Sequence, residues 1–187
     1  MNLDLSLVES LNRWGATHVS LTTAIADDTI FLAMALSGLA FLYSVMRNAS
    51  KPISFIKSIA LLVSEGVVKL VLPVGLATIA SELISKLFVR PRPFAAHENI
   101  VMVFPQGADG GMPSHHMTFT IALGVAVMFF SRKMGFAIIV LAIASGIARI
   151  AAGIHYPSDI LAGALLGAGV VYLYKVIFKD IKRRASL

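Results

Sequence analysis

Long apolar segments, separated by short charged turns, are the feature that most limits how this chain can fold. Segments 29–46, 113–130, 134–154 and 157–178 each approach the length of about 20 apolar residues that a transmembrane helix needs. Of the 187 residues, 57% are hydrophobic and 14% are charged, whereas a soluble domain has about 25% charged residues. The sequence therefore predicts an all-α, polytopic transmembrane helical bundle in a single membrane-embedded domain, residues 1–187.

Residues 53–88 add a further apolar segment, which is interrupted by charged residues and brings the expected number of spans to about five. A straight helix of this length would be roughly 54 Å long, too long for one span, so we expect Pro73 to bend it. Two oppositely charged pairs have the i, i+4 order that stabilises a helix: Glu65 with Lys69, and Glu82 with Lys86. We expect these pairs at membrane interfaces or between helices.

The start of the chain shows two helix-related patterns. Residues 1–14 place apolar side chains among polar ones, as in an amphipathic helix that lies in the membrane interface. The opening MNLDLSLVES has no basic stretch before an apolar one, so we expect no cleavable signal peptide. Asp27 and Asp28 precede the first span, where carboxylates cap helix starts. These patterns predict an interfacial helix, followed by a span that begins at residue 29.

Charge and cysteine content exclude several classes of function. The net charge is +6, and a basic cluster, KDIKRR, lies near the C-terminus. Such a cluster indicates a cytoplasmic segment beside anionic lipid rather than a nucleic-acid site. The chain has no cysteine, which excludes disulfide and thiol chemistry.

The distribution of basic residues predicts the orientation of the bundle. Five crossings place the loops 47–51 and 131–133 on the same side as the C-terminal cluster, and all three are basic. The positive-inside tendency makes that side cytoplasmic. The loop 89–111, the turn 154–157 and the start of the third span then face outward.

The ends of several spans on this outer side carry polar residues that lipid-embedded helices avoid. A charge at the bilayer centre costs about 2.5–3.5 kcal/mol, so we expect these residues near the membrane surface. They are Arg90, Arg92, Ser114, His115, His116, Arg149, His155 and Asp159. Their predicted convergence at one depth indicates a functional site.

This set of residue types suits the binding of a phosphate. Arginine presents a planar fork that matches phosphate oxygens. The start of the third span offers a helix N-terminus with unpaired N–H groups, which favours an anion. Pro113 fits the first helical position there, and Gly110-Gly111 lets the backbone approach a ligand.

The histidines add the groups that phosphoryl transfer needs. Asp159 lies in the first turn of a helix that begins at Pro157, and its side chain leans back toward His155. A carboxylate on one ring nitrogen leaves the other as a free lone pair, the condition for a nucleophile. His116 can donate a proton to the leaving oxygen. Together these residues predict transfer through a covalent phosphohistidine.

Each residue taken alone has a simpler explanation. Arg149 can extend toward the headgroups, Arg90 and Arg92 can anchor the interface, and Asp159 can act as a helix N-terminal charge. A single histidine more often packs between helices. The coincidence of all of them on one side favours the functional interpretation.

The spacing of these residues resembles the signature of the type-2 phosphatidic acid phosphatase superfamily, a family of integral membrane lipid phosphatases. That signature has three parts: Lys-x6-Arg-Pro, Pro-Ser-Gly-His and Ser-Arg-x5-His-x3-Asp. Here the second and third parts read PSHH and ARIAAGIHYPSD, and the first ends in RPRP. Three positions depart from it: Ser85 stands in place of the Lys with Lys86 one residue late, His115 replaces the Gly, and Ala148 replaces the Ser.

The resemblance implies a role for each matching residue and neither a metal nor another cofactor. His155 would be the nucleophile, Asp159 its charge partner, and His116 the proton donor to the leaving oxygen and then the activator of water. The phosphate would be held by Arg92, Arg149 and Ser114, with the backbone around His115. Two further groups extend this set: Arg90 would supply the charge of the displaced lysine, and His115 would either bind an additional phosphate or face lipid.

The segments RPRPF and GIHYPSDILAGAL, with the five-span length, are most similar to the bacterial undecaprenyl pyrophosphate phosphatases of this superfamily. This resemblance implies hydrolysis of undecaprenyl diphosphate on the outer face of the bacterial plasma (inner) membrane, in the recycling of the carrier lipid for cell-wall synthesis. Phosphatidylglycerophosphate, phosphatidic acid and a lipid A phosphate are alternative substrates. Membrane lipids would surround the enzyme, no protein partner is implied, and the C-terminus would be cytoplasmic.

Two other classes of protein compete with an enzyme. A haem or quinone protein would use His116 and His155 as ligands, but no histidines are paired across facing spans and the arginines would have no purpose there. A lipid transporter is the second alternative, and five spans without inverted repeats argue against it.

Overall fold

The regular structure is helical throughout the part of the chain that the computed structural model describes, residues 3–48, 64, 66–108 and 110–185. Within these residues, four helices are long and apolar enough to cross a membrane: Val19–Met46, Val67–Leu87, Arg132–Ala151 and Pro157–Lys179. A shorter apolar helix, His115–Val127, accompanies them. The predicted all-α polytopic bundle is thereby confirmed, and the protein is a multi-pass membrane protein.

The helices are numbered in chain order. They are α1 (Leu3–Thr17), α2 (Val19–Thr23), α3 (Thr29–Asn48), α4 (Leu72–Leu87), α5 (Pro93–Ala96), α6 (His115–Val127), α7 (Arg132–Ala151) and α8 (Pro157–Ala185). Single π-helical turns, Ala24–Asp28 and Val67–Val71, join α2 to α3 and lead into α4.

The first span begins earlier than the sequence predicted. Its helix runs without interruption from Val19, and Asp27 and Asp28 lie within the π-turn rather than before a helix start. The prediction of a span beginning at residue 29 with two capping carboxylates is therefore wrong. The physical reason is tertiary, because the Asp27 carboxylate pairs with Arg149 of α7 at 2.8 Å instead of capping a helix.

The predicted N-terminal helix is present as α1 and is fixed to the bundle along one side. The Asn12 amide donates to the carbonyls of Val101 and Ala151 at 2.8 and 2.9 Å, and its oxygen accepts the Val101 N–H at 2.8 Å. Val8 is buried, whereas Leu3 and Trp14 are exposed. An exposed apolar face opposite a docked face suits the membrane interface, where its placement stays a prediction.

The second predicted segment is described only in part, since residues 49–63 and Glu65 lie outside the described residues. In the described part, Pro73 follows the π-turn Val67–Val71. Proline cannot donate the helical hydrogen bond and its ring crowds the preceding turn, so a widened turn accommodates it. The pairing of Glu82 with Lys86 is confirmed at 3.3 Å on an exposed face.

Helix α6 packs against α3, α4, α7 and α8 at the centre of the bundle. It is shorter than the predicted span 113–130, because its N-cap is Ser114 and turns follow at 128–130. Pro113 therefore precedes the helix, and its predicted place at the first helical position is wrong.

Gly163 lets α8 approach α6 closely. A Cβ on Gly163 would lie 2.7 Å from the Ser114 carbonyl oxygen, so only glycine allows this approach. Pro157 opens α8 at its predicted first position, and Asp159 falls in the first turn. The packing places the start of α6 beside the start of α8.

Candidate active site

The predicted outer-side residues meet where the loop after α4, the start of α6 and the α7–α8 turn converge. His155 of the turn is buried, with 2% of its surface exposed. Its Nε2 lies 3.3 Å from Arg92 Nη1 and 3.3 Å from Ser114 Oγ. Three stretches that are distant in the chain thus contribute to one pocket.

The partners of His155 fix which ring nitrogen carries the proton. Nδ1 lies 3.0 Å from the Gly111 carbonyl oxygen, which can only accept a hydrogen bond. Nε2 faces the guanidinium of Arg92, which can only donate. The imidazole therefore carries its proton on Nδ1 and presents a lone pair at Nε2, toward the arginine.

Burial keeps this imidazole neutral. Loss of solvent is the largest effect and lowers the pKa of His155 to about 4; Asp159 opposes this change, while Arg149 and Arg92 reinforce it. At neutral pH the Nε2 lone pair is therefore available for attack.

Asp159 is fully buried, and its carboxylate lies farther from His155 Nδ1 than the Gly111 carbonyl oxygen does. Its Oδ2 accepts the Tyr156 N–H at 2.8 Å and lies 3.6 Å from His155 Nδ1. Its Oδ1 accepts from Arg90 at 2.8 Å. Because Gly111 is the nearer acceptor for Nδ1, the backbone of the 89–111 loop shares with Asp159 the task of orienting the imidazole.

Two buried arginines and a helix start lie near His155 and form a candidate anion site. Arg92 and Arg149 are 7% and 1% exposed, and Arg149 Nε is the buried side-chain atom that lacks a hydrogen-bond partner within the described residues. Ser114, the N-cap of α6, makes no side-chain capping bond. The first N–H groups of α6 and the Arg149 Nε–H are thus open to an anionic oxygen.

Asp27 is a site residue that the sequence interpretation missed. Its Oδ1 accepts from Arg149 Nη1 at 2.8 Å and lies 3.9 Å from Nε2 of His116. The first span therefore contributes a carboxylate between Arg149 and His116. The sequence signal for this role was the acidic pair Asp27 and Asp28 near the predicted outer end of the first span. The sequence analysis interpreted that pair as helix caps.

The two additional residues of the sequence prediction, Arg90 and His115, contact different partners. Arg90 donates to Asp159 and to Asp4, so its terminal nitrogens face carboxylates. His115 Nδ1 lies 2.9 Å from Ser81 Oγ, and its Nε2 lies 3.8 Å from Glu82.

The displaced lysine does not join the site. Lys86 pairs with Glu82, and 70% of its side chain is exposed. Ser85, which stands in the position of the family's lysine, is buried and donates to the Glu82 carbonyl of its own helix. Among the described residues, the cations that act electrostatically on His155 are Arg149 and Arg92.

The fold and the candidate site together define a polytopic membrane protein with a cluster of buried arginine and histidine side chains at one end of its helices. Residues 66–183 match the sequence model of the PAP2 superfamily, and the chain belongs to that superfamily.

Two curated relatives show the range of sequence similarity. The undecaprenyl-diphosphatase BcrC of Bacillus subtilis (strain 168) is 36% identical over 101 residues, 54% of this chain and 51% of that protein. The bacitracin transport permease protein BcrC of Bacillus licheniformis is 37% identical over 91 residues, 49% of this chain and 45% of that protein. The chain thus spans about half the length of these two relatives in the matched region.

A solved structure supports the fold alone. The PAP2-type phosphatidylglycerolphosphate phosphatase from Bacillus subtilis superposes with a TM-score of 0.61 at 18% identity, over 98% of this chain and 90% of that one.

Proposed function

We propose that this protein is a lipid phosphatase that hydrolyses undecaprenyl diphosphate to undecaprenyl phosphate and inorganic phosphate. The observation that carries the proposal is the unprotonated Nε2 of buried His155, held 3.3 Å from both Arg92 and Ser114. A neutral imidazole nitrogen surrounded by anion-binding groups is suited to attack a phosphorus atom.

In the first step, His155 Nε2 forms a bond to the terminal phosphorus as the bond from phosphorus to the bridging oxygen breaks. The leaving undecaprenyl phosphate takes a proton from His116. Arg92, Arg149 and the N–H groups at the start of α6 stabilise the charge on the transferring phosphoryl group. The proton on Nδ1 of His155 stays on the ring, where Gly111 and Asp159 balance the positive charge that develops.

In the second step, water attacks the phosphohistidine and gives its proton to His116. The phosphorus–nitrogen bond breaks, inorganic phosphate leaves and His155 returns to its neutral form. Both histidines therefore regain their starting protonation state in each cycle, and no further reactant is needed.

The choice of a diphosphate substrate is supported by the relatives. One of them is named an undecaprenyl-diphosphatase. The leaving phosphate monoester can take its proton from His116.

The outward orientation of the site is supported by charge. Arg132 and Lys133 are exposed at the start of α7, and Arg149 lies about 25 Å further along the helix at 1.5 Å per residue. With the basic start of α7 on the cytoplasmic side, the site opens toward the outer (periplasmic) face.

A comparison of lipid substrates tests the proposed function. We expect purified protein in detergent micelles to release phosphate from undecaprenyl diphosphate faster than from phosphatidylglycerophosphate or phosphatidic acid, and EDTA to leave the rate unchanged. Phosphate release is measured colorimetrically under identical micelle conditions. A preference for either phospholipid would contradict the substrate, and strict dependence on Mg²⁺ would contradict the histidine mechanism.

Replacement of Asp27 by asparagine tests the electrostatics of the anion site. Asp27 now holds Arg149 at 2.8 Å and adds a negative charge beside the pocket. We expect Asp27→Asn to strengthen inhibition by inorganic phosphate by roughly tenfold, because a nearby like charge is removed, and to lower kcat, because His116 loses its nearest carboxylate. Competitive inhibition and turnover are measured on the same preparation.

A neutral substitution at Asp28 is the matched control. Asp28 neighbours Asp27 in the same π-turn and is exposed. Asp28→Asn should therefore change neither the inhibition by inorganic phosphate nor kcat. Weaker phosphate inhibition in Asp27→Asn would show that Asp27 supports, rather than opposes, anion binding.

A further inference from the structure

The N-terminal helix α1 reaches the helix that carries Asp159, although α1 lies outside the residues that match the superfamily, 66–183. Asp4 Oδ1 accepts the Ser158 N–H at 3.0 Å, and Asp4 Oδ2 accepts the Ser158 hydroxyl. Ser158 lies in the first turn of α8, where N–H groups lack helical partners. Asp4 therefore acts as a cap supplied from the opposite end of the chain.

Arg90 connects Asp4 to Asp159. One terminal nitrogen, Nη1, donates to Asp159 Oδ1 at 2.8 Å and to Ser158 Oγ at 2.6 Å, and the other, Nη2, donates to Asp4 Oδ2 at 2.9 Å. The guanidinium carbon lies 3.9 Å from the centre of the Tyr156 ring. Four contacting residues thus hold one side chain in a single orientation.

The buried carboxylate of Asp159 requires such a partner. It is 0% exposed, and a buried carboxylate without compensation is unstable as an anion. The Tyr156 N–H satisfies one oxygen, and Arg90 satisfies the other.

The contacts between Asp4, Arg90 and Asp159 also stabilise the charged forms of Arg90 and Asp4. Burial lowers the pKa of Arg90, but Asp4 and Asp159 outweigh this effect and raise it above its usual value. Burial raises the pKa of Asp4, but the hydrogen bonds from Ser158 and Arg90 outweigh this effect and lower it.

We propose that Asp4 and Arg90 are positioning residues of the phosphatase: Asp4 fixes Arg90, and Arg90 holds Asp159 as an oriented anion against His155. This proposal rests on the proposed function. It assigns the N-terminal helix a role in completing the site, because α1 supplies the outermost member of the series Asp4–Arg90–Asp159–His155. It also differs from the sequence prediction that Arg90 binds phosphate. To bind a phosphate, Arg90 would have to give up its contact with Asp4 or with Asp159.

A double-mutant cycle in the full-length protein distinguishes positioning of Asp159 by Arg90 from binding of phosphate by Arg90. We expect Arg90→Gln to lower kcat for undecaprenyl diphosphate by roughly 10- to 100-fold through misplacement of the nucleophile, with KM and inhibition by inorganic phosphate unchanged. Asp4→Asn should lower kcat less, and it should cause no further loss in the Arg90→Gln background, because both act through the same contact. Arg90→Lys should recover part of the rate, since it keeps the charge but lacks the fork.

Glu9→Gln is the matched control on α1. Glu9 accepts a hydrogen bond from Asn99 at 2.8 Å near the surface and does not contact the series, so its kcat should equal that of the wild type. A loss in Glu9→Gln as large as that in Asp4→Asn would overturn the specific role of Asp4. Additive losses from Asp4 and Arg90 would overturn the coupling, and a raised KM with an unchanged kcat in Arg90→Gln would make Arg90 a phosphate ligand.

A measurement without turnover keeps this proposal distinct from the proposed function. In protein labelled with ¹⁵N-histidine, the Nδ1–H resonance of His155 should be visible by NMR and should shift or broaden in Asp4→Asn and Arg90→Gln but not in Glu9→Gln. The same shift in a protein that releases no phosphate from any lipid would retain the positioning role and reject the phosphatase activity. An unchanged resonance in Arg90→Gln would reject the positioning role whatever the activity.

Discussion

Replacement of His155 by alanine is expected to abolish phosphate release from undecaprenyl diphosphate, with a loss of roughly 10⁴-fold or more, as for the removal of a nucleophile that acts with its partners as a unit. The reason is geometric. His155 Nε2 is the lone pair that faces both Arg92 and Ser114, and alanine leaves the anion site without a group that can bond to phosphorus. Steady-state phosphate release in micelles measures the loss.

His18→Ala is the control for this substitution, because His18 is exposed and stacks on Trp14 away from the pocket. It should keep the wild-type rate. With substrate labelled in its terminal phosphate, the wild type should also yield an acid-labile, base-stable labelled protein that His155→Ala does not yield. Near-normal turnover in His155→Ala would reject the nucleophile assignment.

The spans that could be predicted best are those whose continuous hydrophobicity marks their extent in the sequence. Predicted segments 134–154 and 157–178 correspond to α7 (Arg132–Ala151) and α8 (Pro157–Ala185). A helix in hydrocarbon must satisfy all of its backbone groups within itself and stay apolar for its whole length. That requirement is visible in the sequence without knowledge of the neighbouring helices.

The start of the first span could not be predicted by the same argument. A pair of carboxylates before an apolar segment looks like a helix cap, and the sequence offers no local sign that Asp27 pairs with Arg149, which lies 122 positions away. A long-range ion pair replaced the local capping interaction here. The same holds for Asp4, whose partners Arg90 and Ser158 lie 86 and 154 positions away.

In the candidate site, the sequence predicted contacts between side chains but not contacts made by the backbone. The spacing of Arg149, His155 and Asp159 predicted a histidine beside a carboxylate. The structure places His155 Nδ1 3.6 Å from Asp159 Oδ2. The closer partner of the His155 Nδ1 proton is the carbonyl of Gly111, at 3.0 Å. A carbonyl is present in every residue, so only the folded path of the loop reveals that this one faces the histidine.

Replacement of His116 by alanine is expected to lower the rate in proportion to how much the leaving group needs a proton. His116 lies in the first turn of α6, is partly exposed, and has its Nε2 3.9 Å from Asp27. General acid catalysis contributes roughly 10²–10⁴-fold. Phosphatidic acid, which releases an alkoxide, should show the full loss in the first step, whereas undecaprenyl diphosphate, which releases a phosphate monoester, should lose less, and an aryl phosphate least.

The second step gives this substitution its own signature. The phosphohistidine in His116→Ala lacks the base that activates water, so an aryl phosphate should release one equivalent of phenol per enzyme and then stop. Rapid-quench measurement of that single release, beside steady-state turnover of the three substrates, checks both steps. Equal losses for all three leaving groups, with no single release, would mean that His116 binds the phosphate instead of moving a proton, and the acid would have to be sought elsewhere in the pocket.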